Sequence, residues 1–204
     1  LNNLRALKID SSTVDVIFIS HDHGDHTGGL EEFLKLNNKV SVWLPSSVMA
    51  EVSKGLDEMV TKAGARVVRN KAPAEVCPGV RSTGELVGVA LEQALILDTH
   101  DGAVIVTGCA HPGILNILRR ARDVTSRETA FVLGGFHLLQ TSEPELRTIV
   151  GTFKGELGIK RVAATHCTGD RAIALFKDAY GANFVPVGAG RVLTLDKGPN
   201  GGGA

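Results

Sequence analysis

The sequence predicts an α/β fold, with sheets covered by helices. Three observations carry that expectation. Short β-branched runs alternate with segments of helical apolar spacing along the 204 residues. Several strand-like runs end in loops that carry histidines, and strand ends are where an open α/β sheet gathers ligands. Residues 94–98 and 103–107 read as a hairpin joined by Thr99-His100-Asp101-Gly102, with an Asp-Gly turn signal. Periodicity alone would give a doubly wound parallel sheet; the hairpin requires an antiparallel pair and therefore mixed sheets.

The elements follow in order. Residues 2–8 suit a short helix, and the apolar run 14–20 a buried strand. Residues 29–36 have helical spacing, and 40–44 read as a strand ending at Pro45. Ser46 or Ser47 is the expected cap of a helix running to about Ala63 and stopped by Gly64, ahead of a strand at 66–69. Residues 70–93 are irregular and contain Pro73, Pro78, Gly79, Gly84 and Gly88; short strands in a loop carrying substrate specificity are expected there. After the hairpin, a helix runs through 114–118. The last third repeats strand, loop and helix: a strand at 129–133, a helix from about 144 to 157 capped by Ser142, a strand at 161–164 and a helix at 170–180. Phe184-Val185 and residues 191–195 end the fold, and the Gly-rich residues 198–204 read as a frayed tail. With no linker or internal repeat, one domain over residues 1–197 is expected.

The chemistry concentrates after the first strand. His21, Asp22, His23, Gly24, Asp25 and His26 follow the run 14–20 directly and precede Thr27-Gly28-Gly29. A lone histidine is ordinarily a surface or core residue, but an internal tract alternating imidazole and carboxylate after a strand points to a metal site. An extended backbone would send His21, His23 and Asp25 to one side and His26 elsewhere, unless the glycines turn the loop. His111, His137 and His166 each follow a further strand-like run by a few residues, a placement that independent structural histidines would not share.

The stretch Ser20-His21-Asp22-His23-Gly24-Asp25-His26-Thr27-Gly28-Gly29 resembles the metal-binding loop of the metallo-β-lactamase superfamily. That resemblance, and not periodicity, implies an αββα sandwich with a one- or two-metal site. It implies that His21, His23 and His111 hold a first metal, and that Asp25, His26 and His166 hold a second. Many members bridge the two metals with an aspartate after a strand; the matching position here carries Gly134-Gly135-Phe136-His137. His137 is thus open as a ligand or as a substrate-facing acid or base. Residues 107–113, 134–138 and 165–169 together resemble the branch represented by 7,8-dihydropterin-6-yl-methyl-4-(β-D-ribofuranosyl)aminobenzene 5′-phosphate synthase. Members of the superfamily place β-strands before the first metal loop, which begins here at residue 21. The resemblance therefore implies that the N-terminal β-strands are lacking from this chain and are supplied by an extension or by another chain.

The implied cofactors are one or two divalent metal ions, zinc foremost, with iron or manganese compatible with the donors. A histidine-held metal supplies hydroxide near neutral pH and polarises a carbonyl or phosphoryl oxygen, with Asp25 orienting the nucleophile or taking its proton. The expected activity is a metal-dependent hydrolase acting on an ester or phosphoryl substrate. The alternatives are a pterin transferase releasing pyrophosphate, a non-catalytic metal-binding protein and a di-iron redox enzyme. Thr168-Gly169 at a helix start is either an anion cradle or an ordinary cap. No Walker loop or Gly-x-Ser-x-Gly elbow is present.

Composition bounds the rest. Lys+Arg and Asp+Glu both number 22, so a dominant nucleic-acid surface is not expected and a small anionic substrate is. No run is long and apolar enough for a bilayer. Cys77, Cys109 and Cys167 lack paired spacing, which favours a reduced, cytoplasmic setting; Cys109 and Cys167, each close to a histidine, are open as extra soft ligands, with buried structural thiols the favoured reading. A homo-oligomer is compatible with all of this. The chain opens on Leu1 rather than Met, so a longer gene product is expected.

Overall fold

The computed structural model describes residues 1–46 and 50–196, residues 50–54 by their backbone alone. The candidate cap Ser47 and the Gly-rich tail 198–204 lie outside the described residues. By its packing the chain divides into two compact units, Leu1–Ala72 and Pro73–Ala204.

The first unit begins with helix α1 (Asn2–Ala6) and continues into strand β1 (Val16–Phe18). The one-turn helix α2 (Gly24–Thr27) and the short helix α3 (Leu30–Leu34) follow, then strand β2 (Ser41–Pro45), helix α4 (Ala50–Lys62) and strand β3 (Arg66–Asn70). The sheet is parallel in the order β1-β2-β3, with Ile17 opposite Val42 and Val42 opposite Val67. Val42, Leu44, Leu30, Leu34, Leu56 and Val60 form its core, with Ile19 just beyond β1. Buried Asn37 fastens the approach to β1. Its side-chain amide donates to the carbonyls of Ser11 and Val14 at 2.9 Å each, and its Oδ1 accepts from Lys39 N–H at 2.9 Å. A buried amide with its groups satisfied stabilises only the geometry that satisfies them.

The second unit holds a six-stranded mixed sheet in sequence order. Its strands are β4 (Ala74–Cys77), β5 (Val80–Ser82), β6 (Leu95–Thr99), β7 (Gly102–Val106), β8 (Thr129–Gly135) and β9 (Arg161–Thr165). β4 to β7 pair antiparallel; β7, β8 and β9 pair parallel. Helices α5 (Ile114–Thr125) and α6 (Glu143–Lys154) make the two parallel crossovers, and α7 (Asp170–Tyr180) follows β9. Alternation along the strands splits the core in two. Ile105, Val132 and Val162 face the helices, while Val104, Phe131 and Ala163 face the opposite side. On the helical side Phe136, Phe153 and Phe176 stack with ring centroids 4.9–5.6 Å apart.

The expected mixed α/β class is therefore present, and local differences have local causes. The hairpin forms, but its turn centres on His100 and Asp101, because Thr99 already pairs with Gly102 and its hydroxyl donates to the Gly102 carbonyl at 2.7 Å. Ser142 occupies the cap position of α6 without a side-chain capping bond. Residues 191–195 form no strand; Leu193 and Leu195 instead pack against the Val104–Phe131 face. Among the described residues no helix is long and apolar enough to cross a membrane.

Candidate metal centre

In the first unit the ligand loop is built directly on β1. Ile19 N–H still pairs with the Trp43 carbonyl at 2.9 Å, so the strand direction carries as far as Ser20. His21 is fully buried, with Nδ1 2.9 Å from Ser20 Oγ. The chain then turns. His23 caps α2, and its carbonyl accepts from His26 N–H at 2.9 Å and Thr27 N–H at 3.1 Å.

Of the two paths left open by the sequence, extended or turned at the glycines, the tract takes the turned one, because one helical turn from Gly24 is closed by those bonds. The turn folds His26 back, with its ring centroid 4.1 Å from that of His21. The His21 and His23 rings meet edge to face at 4.7 Å. Asp25 Oδ2 lies 3.3 Å from His26 Nε2. Three imidazoles and a carboxylate thus occupy one small volume. Asp22, next to His21, is half-buried.

In the second unit the ends of β7, β8 and β9 carry His111, His137 and His166. The loop after β7 is gripped by a residue the sequence reading did not single out, Glu92. Its fully buried carboxylate accepts four consecutive backbone N–H groups. Gly108, Cys109 and Ala110 donate to Oε1 at 3.2, 2.9 and 2.9 Å, and His111 donates to Oε2 at 2.9 Å. Gly88 supports the same loop, since a Cβ there would lie 2.4 Å from the His111 carbonyl. Part of the 70–93 segment therefore braces the loop that carries His111. A buried charge needs partners, and an acidic residue inside Ala90-Leu91-Glu92-Gln93-Ala94-Leu95 is the signal that could have been noticed.

The end of β8 is closely packed at Gly134 and Gly135. A Cβ on Gly134 would stand 2.3 Å from the Thr107 carbonyl. One on Gly135 would stand 2.5 Å from the Gly108 carbonyl, 2.7 Å from Cys167 Sγ and 3.2 Å from His166 Cδ2. Gly135 N–H donates to the Gly108 carbonyl at 3.0 Å, and Thr107 Oγ1 to the Gly135 carbonyl at 2.9 Å. The strand end has no room for a carboxylate side chain.

His137 and His166 have φ of +52° and +55°, and Ala110 beside His111 has +62°. Left-handed backbone at non-glycine residues costs roughly 1–3 kcal/mol each and gathers at functional sites. The His111 and His137 rings lie 4.3 Å apart. Exposed His137 lines two pockets, one of about 350 Å³ with His111, Asn116, Arg119 and Glu145, and one of about 380 Å³ with Leu139, Gln140 and Cys167.

Cys109 Sγ lies within 4.8 Å of a ring nitrogen of His111, and within 4.8 Å of one of His166. Thr168 is fully buried; its Oγ1 accepts from Phe136 N–H at 3.0 Å and donates to the Thr165 carbonyl at 2.6 Å. Its hydroxyl thus ties two loops together, and Asp170 puts a negative charge in the first turn of α7, which does not favour the anion-cradle reading.

The donor set fits a divalent ion. Imidazole and carboxylate in the first unit, and imidazole and thiol in the second, are the donors that zinc and iron take, packed closely enough within each unit to share an ion.

Comparison with known proteins agrees. The chain is 27% identical to the 7,8-dihydropterin-6-methyl-4-(β-D-ribofuranosyl)-aminobenzene-5′-phosphate synthase of Methanocaldococcus jannaschii, over 95% of this chain and 79% of that protein. It is 33% identical to an uncharacterized protein of the same organism, over 45% of this chain and 34% of the other. Among solved structures it is similar to Tm1679, a metal-dependent hydrolase of the β-lactamase superfamily, with a TM-score of 0.76 and 28% identity over 96% of this chain and 84% of that one. It shares a fold with the metallo-β-lactamase fold protein YhfI of Bacillus subtilis, with a TM-score of 0.61 and 13% identity over 91% and 80% of the two chains. The family model of the metallo-β-lactamase superfamily matches residues 1–139, more than half of the sequence, and the chain belongs to that superfamily.

Proposed function

We propose that the protein is a metal-dependent hydrolase acting on an ester or phosphoryl group of a small anionic substrate. The observation that carries this reading is the packing of His21, His23, Asp25 and His26 side chains in the loop after β1. His21, His23 and His111 would hold one ion, and Asp25, His26 and His166 a second. Bound there, a divalent ion supplies Lewis acidity, polarising the substrate oxygen and making water a nucleophile near neutral pH.

The chain's own residues do the rest. Ser20 Oγ engages His21 Nδ1 and orients that ring, as outer hydrogen bonds do for ligating histidines. Glu92 holds the His111 loop through four N–H groups. Asp25 would orient water or take its proton. His137, exposed and lining both pockets, would donate a proton to the leaving oxygen.

Similarity to the pterin synthase over 95% of the chain favours a second reading, a transferase that displaces pyrophosphate from the diphosphate ester of a pterin alcohol. Both readings share the metal requirement. Elemental analysis is expected to give one or two metals per chain, and chelation to abolish turnover. Less than one metal per chain, with turnover unaffected by chelation, rejects both. Incubating the loaded protein with a pterin diphosphate and the ribosylated aminobenzene phosphate separates them: coupled product with released pyrophosphate selects the transferase. Metal binding without turnover on these or on phosphodiester substrates leaves the non-catalytic reading.

A further inference from the structure

We propose that Cys109 supplies a thiolate ligand to the metal centre, and that this soft donor makes the centre prefer zinc or ferrous iron to manganese. The inference rests on the metal-centre reading above and goes beyond the ligand set that family resemblance implies.

Three observations carry it. First, Cys109 Sγ lies within 4.8 Å of ring nitrogens of both His111 and His166, the two histidines assigned to different ions. Metal–sulfur and metal–nitrogen bonds of about 2.3 and 2.0–2.1 Å bring two ligands of one ion within that separation. Second, Cys109 is buried, and among the described residues it joins none of the three hydrophobic clusters. Its backbone is pinned by the Glu92 carboxylate, with left-handed Ala110 next to it, so the direction of its side chain is set. Third, the end of β8 has no space for a carboxylate side chain at Gly134 or Gly135, so that strand end supplies no anionic donor, whereas the Cys109 sulfur lies beside both histidines. Cys167 is not equivalent: its Sγ donates to the Cys109 carbonyl at 3.5 Å. On binding, the Cys109 S–H loses its proton to solvent and the sulfur forms the metal bond. Thiolate selects zinc and iron, whereas carboxylate and carbonyl oxygens suit manganese.

Cobalt(II) reports the ligand directly. The full chain, Cys109→Ser, Cys109→Asp and Cys167→Ser would each be loaded with Co²⁺ and followed by absorption, metal analysis and circular dichroism. The expected result is a near-ultraviolet thiolate-to-cobalt band in the wild type and in Cys167→Ser. Both Cys109 variants should lose the band, and Cys109→Ser should bind Co²⁺ at least about tenfold more weakly. Cys109→Asp keeps a ligand, so it should retain metal without the band while narrowing the preference of Zn²⁺ over Mn²⁺. That variant keeps the test decisive if Cys109→Ser fails to fold. Cobalt bound by the wild type with no thiolate band, or a band that survives in Cys109→Asp, overturns the inference alone. A wild type that binds no cobalt overturns the metal-centre reading with it.

Discussion

Glu92 is the residue on which the second unit's ligand loop depends. Four N–H groups converge on one buried carboxylate, and each bond to a charged acceptor contributes about 1.5–3 kcal/mol. Glu92→Gln keeps the shape but removes the charge and points an amide donor at other donors. It is expected to lower stability by about 3 kcal/mol and to weaken metal binding about 10- to 100-fold, measured by denaturant melts and metal titration. Unchanged metal affinity would mean the clamp does not orient His111. Tyr180 is the opposite case. Among the described residues its buried hydroxyl has no hydrogen-bond partner, and burial pushes the phenol above its ordinary value of 10.0. Tyr180→Phe is expected to be neutral or to stabilise by up to about 1 kcal/mol. The phenol ionises more readily in the unfolded chain, so wild-type stability is unaffected below pH 10 and falls as pH rises beyond it. Melts at increasing alkaline pH should therefore show the wild type losing ground to Tyr180→Phe; parallel curves would argue against a buried phenol.

At the scale of elements, the end of β8 is the sensitive joint. Gly135→Ala places a methyl against the Gly108 carbonyl, Cys167 Sγ and His166, and two of these are backbone or ring atoms that cannot simply rotate aside. The expected outcome is a folded protein, by circular dichroism, that binds less metal because the loops bearing Cys109 and His166 have separated. Full metal occupancy in that variant would show that the joint tolerates separation. The joint also explains the phenylalanine cluster beneath it. Phe136, fully buried against Phe153 and Phe176, anchors the chain between a glycine that must stay small and a histidine held in left-handed backbone.

For the whole molecule, metal and stability are linked, because an ion that binds only the folded chain stabilises it by mass action. At about 100 times the dissociation constant this is roughly 2.7 kcal/mol, a rise of about 5–10 °C in melting temperature for a chain of this size. Zinc is expected to raise the melting temperature by that order and a chelator to reverse it; a melting curve indifferent to both would tell against a folded-state metal site.

The sequence by itself determined the α/β class and most strands and helices, and it brought forward the histidine and aspartate side chains that pack together in the loop after β1. These are local properties: runs of Val and Ile make strands, and His21 to His26 need only one loop to meet. It did not determine how that loop turned, because a one-turn helix and an extended path suit the same residues. Only the tertiary structure decided that Glu92 clamps the His111 loop, since its donors stand 16–19 residues away. Only it decided that a carboxylate cannot fit at Gly135, and that buried Cys109 stands beside two histidines. Those facts arise where separate strand ends approach one another, and a linear sequence does not carry the distance between them.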